Sequence, residues 1–123
     1  MKAKSFEDLL VWKKAHAYVL EVYRITKVFP NSELFGLTAQ MRRAAISMPA
    51  NIAEGFKKRT AREKIRILNI AQGSLEESRY YLILAEDPGY ANTAMFRPKL
   101  EEVSKMLEAY IRAIETNHEI ARR

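Results

Sequence analysis

The sequence predicts an all-α protein, an antiparallel up-down bundle of four helices. Apolar residues recur at alternating steps of three and four along most of the chain, the period of a helix face and not of a strand. Only 4 Gly and 4 Pro occur in 123 residues, fewer than a β-sandwich with many tight turns would use. The interruptions between the striped segments are short, and short connections between long helices place sequence neighbours side by side and antiparallel. With 48% apolar residues and charges of both signs, disorder is disfavoured. The length suits one domain over residues 1–123, with helices at approximately 6–29, 33–59, 61–86 and 93–119.

In the first segment Trp12, Ala15, Tyr18, Val19, Val22, Tyr23, Ile25 and Phe29 share an arc of roughly 160° on a helical wheel. Lys13, Lys14, Glu21, Arg24 and Lys27 take the other side. Ser5 followed by Asp8 has the form of an N-cap with an acid in the first turn. Phe29-Pro30-Asn31 stops the helix, because the residue before proline avoids the α region.

The second helix starts near Ser32 or Leu37 and carries Leu37, Met41, Ala44, Met48 and Ile52 on its stripe. Pro49 lies within it and removes one backbone donor, so a kink is expected there and not a break. Thr60-Ala61-Arg62-Glu63 has capping-box spacing and opens the third helix. That helix carries Ile65, Leu68, Ala71, Leu75, Ser78, Leu82 and Ala85, and Asp87-Pro88-Gly89 ends it. The fourth begins near Asn92 or Thr93, or at Pro98 as a first-turn proline, with Leu100, Val103, Leu107, Tyr110 and Ile114 as its stripe. At about 1.5 Å per residue each rod is roughly 30–40 Å long.

Composition narrows the chemistry. With no Cys there is no disulfide scaffold, thiolate zinc site or cysteine nucleophile. The two His, at 16 and 118, are far apart in sequence. Glu115 and His118 have the Glu-x-x-His spacing of di-metal bundles, but such sites need that motif twice, and Lys13 stands at the matching position before His16. No metal and no cofactor are expected. No apolar run approaches the ~20 residues of a membrane span, and the first dozen residues lack a signal-peptide core. A cytoplasmic protein is the expectation.

The net charge of +6 is unevenly placed. Between residues 42 and 66 stand Arg42, Arg43, Lys57, Lys58, Arg59, Arg62, Lys64 and Arg66, opposed only by Glu54 and Glu63. This window's excess equals that of the whole chain, and it centres on the corner between helices two and three. Charge runs are usually solvated surface, but a basic corner attracts phosphates by releasing their counterions. Few aromatics interleave the cluster, Phe56 being the nearest, so base stacking is not indicated. Backbone or shape contact with RNA or DNA is the expected mode.

Ser47, Pro49, Asn51, Glu54 and Gly55 form a second constellation. It admits a functional reading, with Glu54 as acid or base, or Asn51 and Glu54 as ligands of a hard cation. It also admits a structural one. Ser47 and Asn51 would then satisfy carbonyls freed by Pro49, Gly55 would permit close helix approach, and Glu54 would pair with Arg42, Arg43 or a neighbouring subunit. Gly73-Ser74 reads as close packing between helices and not as a phosphate loop. The apolar faces of helices one and two are wider than one bundle core needs. Scattered surface apolar residues would explain that, and so would contact with a neighbouring subunit.

Phe29-Pro30, Glu33, Leu37, Gln40, Arg42-Arg43-Ala44 and the run Ser47 to Gly55 together follow a recognisable pattern. With Phe6, Leu9, Trp12, Ala15 and the Ala71 to Glu77 segment, the sequence resembles the four-helix-bundle family encoded in intervening sequences of bacterial large-subunit ribosomal RNA genes. The resemblance spans roughly residues 5–115. It implies a bundle that assembles into a homopentameric ring and has no assigned enzymatic activity. A related branch resembles the accessory protein of diversity-generating retroelements, a basic pentameric bundle that partners a reverse transcriptase and binds nucleic acid. The expectation is therefore a non-enzymatic binding protein. Its partners would be itself and RNA or another nucleic acid, with a protein-interaction scaffold as the alternative. An enzyme using Glu54 or the Glu76–Glu77 pair is the remaining reading.

Overall fold

The computed structural model describes residues 2–122, with side chains described up to His118. Four helices form, α1 (Leu10–Thr26), α2 (Leu37–Lys57), α3 (Ala61–Glu86) and α4 (Phe96–Arg122), with 3₁₀ turns at Phe6–Asp8 and Asn31–Glu33. No strand occurs among the described residues. Each helix packs on its sequence neighbours, and α4 closes back on α1. Cross-links at several levels fix the directions. Ser47 meets Ser74, Gly55 meets Leu68, Gln72 meets Glu108, and Lys14 and Glu21 meet Glu102 and Lys99. Rising numbers on one helix pair with falling numbers on the next, so the bundle is antiparallel.

The capping chemistry explains where the boundaries fall. Ser5 and Asp8 do cap a turn, but it is the separate 3₁₀ turn. Asp8 Oδ2 accepts from the backbone N–H of Lys4 at 2.8 Å and of Ser5 at 3.2 Å, and these bonds hold its carboxyl below the usual range. Leu9 then goes extended (φ −76, ψ 125), and α1 begins only at Leu10. At the other end α1 stops at Thr26, three residues before Phe29, whose ring turns back into the core. The second helix likewise waits until Leu37. Glu33 accepts from the Leu37 N–H at 3.1 Å and supplies a carboxylate to the first turn, where the helix dipole favours one. Glu33 also accepts from the Tyr90 hydroxyl at 3.0 Å, which ties the α1–α2 link to the α3–α4 link.

The third helix matches its expected span of 61–86. Thr60 accepts from the Glu63 N–H at 3.1 Å, one half of a capping box. Gly89 at φ +85 closes the far end with the Schellman pattern, Gly89 N–H to Glu86 O at 2.9 Å and Tyr90 N–H to Ala85 O at 3.0 Å. The fourth helix starts at Phe96, later than 93. Thr93 is instead a fully buried hinge whose N–H and hydroxyl both donate to Glu86 Oε1. Pro98 sits in its first turn, where a missing N–H costs nothing. The helix runs to Arg122, and His118 lies within it.

The core is built mainly from the expected stripes, with Trp12, Ile25 and Ile65 of those stripes only partly buried at its edge. Ile111 is buried on α4, and Tyr110 and Ile114 lie at its edge. Tyr23 of the expected α1 arc is 37% exposed. Ser78, 2% exposed, has an Oγ with no hydrogen-bond partner. A buried hydroxyl without a partner carries its desolvation cost uncompensated. Ser78→Ala should therefore stabilise the bundle by about 1 kcal/mol, read as a rise in the denaturant midpoint at constant slope.

Candidate nucleic-acid interface

The corner is made by three residues between α2 and α3. Lys58 and Thr60 are extended (ψ 150 and 151), which swings Arg59 outward before α3 begins. Lys57, Arg59 and Arg62 are exposed and make no ion pair among the described residues. Lys58 stands 3.9 Å from Glu54 of α2 and Arg66 3.9 Å from Glu63 of its own helix, pairs open enough to solvent to be weak. A shallow depression of about 490 Å³ lies between Lys57, Arg59, Thr60 and the two carboxylates.

Not all eight expected cations belong to it. Lys64 faces inward, donating from Nζ to Phe56 O at 2.6 Å and Gly55 O at 3.4 Å, and lies 5.4 Å over the Phe56 ring. It caps the C-terminus of α2, and burial lowers its pKa from the ordinary lysine value. Arg42 faces α1, its Nε donating to Thr26 Oγ1 at 2.9 Å and its guanidinium 4.7 Å over the Tyr23 ring. Arg42 and Arg43 also sit roughly 22 Å along α2 from Lys57 at 1.5 Å per residue. The corner proper is thus Lys57, Lys58, Arg59, Arg62 and Arg66, with Arg43 exposed farther along the same helix.

The serine–asparagine constellation is a latch between α2 and α3. Asn51 Nδ2 donates to Ser47 O at 2.7 Å and Ser47 Oγ at 2.9 Å, and Ser74 Oγ donates to Ser47 Oγ at 2.7 Å. The carbonyl that Asn51 satisfies is therefore that of Ser47. Pro49 removes the donor that would reach Ala45 by i→i−4 arithmetic, so the expected repair by Ser47 and Asn51 is not what forms. The helix nevertheless runs unbroken through Pro49. Gly55 is buried, and a Cβ there would meet Leu68 Cγ and Cδ2 at 3.3 Å, so its close-approach role holds. Gly73 is different. It faces solvent, with nothing within 4 Å of where a Cβ would lie, so it packs against no helix. Gly73→Ala should stabilise α3 by about 1 kcal/mol through helix propensity alone, a melting rise of several degrees. Glu54 pairs with Lys58, not with Arg42 or Arg43. Among the described residues no three His, Cys, Asp or Glu gather as a metal site, and no helix is long and apolar enough to cross a membrane.

Sequence reasoning overlooked the aromatic edge of α1. Phe6 meets Trp12 edge-on with centroids 5.0 Å apart, and Trp12 stacks on His16 at 5.1 Å with planes 7° apart. The i, i+4 spacing of Trp12 and His16 was the available signal.

These features define a small all-α bundle with one basic corner and a polar latch behind it. Residues 7–109 match the family described as 23S rRNA-intervening sequence protein, and the chain belongs to that family. A crystal structure of a protein of unknown function from the S23 ribosomal protein family of Bacteroides thetaiotaomicron VPI-5482 superposes with a TM-score of 0.62. It is 22% identical, and the match covers 89% of this chain and 98% of that one, which shows a shared fold. No curated protein matches the sequence.

Proposed function

We propose that the protein is a non-enzymatic, nucleic-acid-binding bundle of the cytoplasm that contacts RNA through the corner of Lys57, Lys58, Arg59, Arg62 and Arg66. The observation that carries this is the set of three exposed cations, Lys57, Arg59 and Arg62, gathered at one helix junction without carboxylate partners. Such a junction holds phosphates at little conformational cost, because Thr60 and Lys64 already fix the turn from either side. The family's link to 23S rRNA intervening sequences favours RNA as the nucleic acid. The test is retention of a structured RNA fragment on immobilised protein across a salt series. Retention that falls steeply between about 50 and 200 mM salt supports the reading. Retention that is absent at low salt, or indifferent to salt, sinks it.

A second reading is a protein-interaction scaffold, favoured by one further observation. Ile70, Tyr80 and Leu84, respectively 47%, 56% and 38% exposed, share one face of α3 with solvent-facing Gly73. A face of this kind suits contact with another subunit or with a protein such as a reverse transcriptase. In the combined reading the bundles form a ring of five and repeat the corner around it. Sedimentation at micromolar concentration decides the assembly: a mass near five times 14.2 kDa supports the ring, and 14.2 kDa removes it.

A further inference from the structure

The α1 edge beside α2 carries rings that the corner does not use, with Trp12 half-buried against the core and His16 and Tyr23 exposed. Trp12, His16 and Tyr23 fall within about 40° on the helical wheel. Phe6 and Trp12 begin the line, and His16 continues the stack with its ring exposed. Tyr23 resumes the line farther along, held under the Arg42 guanidinium. From His16 to Tyr23 the helix rises about 10 Å, the length of roughly three stacked bases.

Charge frames this edge at both ends. The 3₁₀ turn bearing Phe6 packs on α1 and α2, so the stack begins at the end of the bundle where α2 opens into Lys57 and Arg59. Arg43 and Lys27, both exposed, stand at the Tyr23 end. Half-buried and exposed rings set between cations match a strand whose bases are free to stack while its phosphates meet Lys and Arg.

We propose that the Trp12–His16–Tyr23 edge is a stacking platform for unpaired nucleobases, so that the bound nucleic acid is single-stranded or looped and not continuous duplex. The inference rests on the nucleic-acid reading above and adds which form is bound. His16 extends the Trp12 stack by one base, and the Arg42–Tyr23 pair receives the strand farther along. A duplex buries its base faces and can use only the cations.

Trp12 is the one tryptophan of the chain, so its emission reports on this edge. The protein is titrated at low salt with a 20-nucleotide oligouridylate, a duplex RNA of equal length, and heparin. Only the oligouridylate should quench Trp12, and it should bind more tightly than the duplex. His16→Ala with Tyr23→Leu should weaken oligouridylate binding about tenfold and leave the duplex unchanged. If that pair does not fold, His16→Ala alone, on an exposed side chain, carries the same readout. Equal Trp12 responses to duplex and oligouridylate, or loss of both by the variant, overturns the platform while the corner stands. Failure of all three polyanions to bind overturns the nucleic-acid reading itself. Trp12 emission that shifts on diluting the protein alone shows a second copy on this edge and overturns the platform.

Discussion

Replacing Lys57, Arg59 and Arg62 together by Glu is expected to abolish RNA retention at low salt. If each cation meets one phosphate, the slope of log affinity against log salt should flatten by about 2–3, and affinity near 50 mM salt should fall by about two orders of magnitude. Folding should be unaffected, because all three side chains are exposed. Glu at 59 and 62 would also lie near the N-terminus of α3, where the helix dipole favours negative charge. Lys64 gives the opposite control. Lys64→Ala removes the cap on Gly55 and Phe56 and should cost about 1 kcal/mol of stability while leaving the salt slope unchanged. Electrophoretic mobility shift across a salt series, with thermal melts on the same samples, reads both. Retention of RNA by the triple variant at wild-type affinity would remove the corner from the interface.

The largest stability effect is expected at Leu68, fully buried against Gly55. Leu68→Ala should cost about 3–5 kcal/mol, since a glycine neighbour has no side chain to swing into the cavity. The same geometry predicts a coupling. Gly55→Ala in the wild type brings a Cβ to 3.3 Å from Leu68, which opposes its gain of about 1 kcal/mol in helix propensity. In the Leu68→Ala background the crowding is gone. Gly55→Ala should then be more favourable by about 1–2 kcal/mol than in the wild type. Denaturant unfolding of the four proteins in the cycle measures this directly, and additive effects would refute the contact.

These two sites also mark what the sequence could and could not disclose. Local signals were accurate where one turn of chain contained the whole mechanism. Thr60 with Glu63 and Asp87-Pro88-Gly89 bounded α3 to the residue, and the stripes on α2 and α3 named most of the core. Ser5 and Asp8 were equally local but closed a turn of their own, because Leu9 left the helix before α1 began. The site was less legible. Arg42 finds its partners Tyr23 and Thr26 on another helix, and Lys64 reaches back across the corner to α2. In sequence both look like two more cations in a basic run. Gly55 and Gly73 likewise read alike, and only the packing of α2 on α3 separates the buried glycine from the exposed one. The aromatic edge escaped notice because its rings are on α1, far in sequence from the cations they accompany.

The brevity of the Lys58–Thr60 connection has a kinetic consequence. Closing so short a loop sacrifices little chain entropy, whereas joining α1 to α4 must bring the two ends of the chain together. The α2–α3 hairpin, latched by Ser47 and Ser74, should therefore be the folding nucleus, with α4 docking late. Truncations at Ile52 or Leu75 should slow refolding, and truncation at Leu107 should chiefly speed unfolding. A chain folding in that order assembles its positive corner before the rest of the bundle closes.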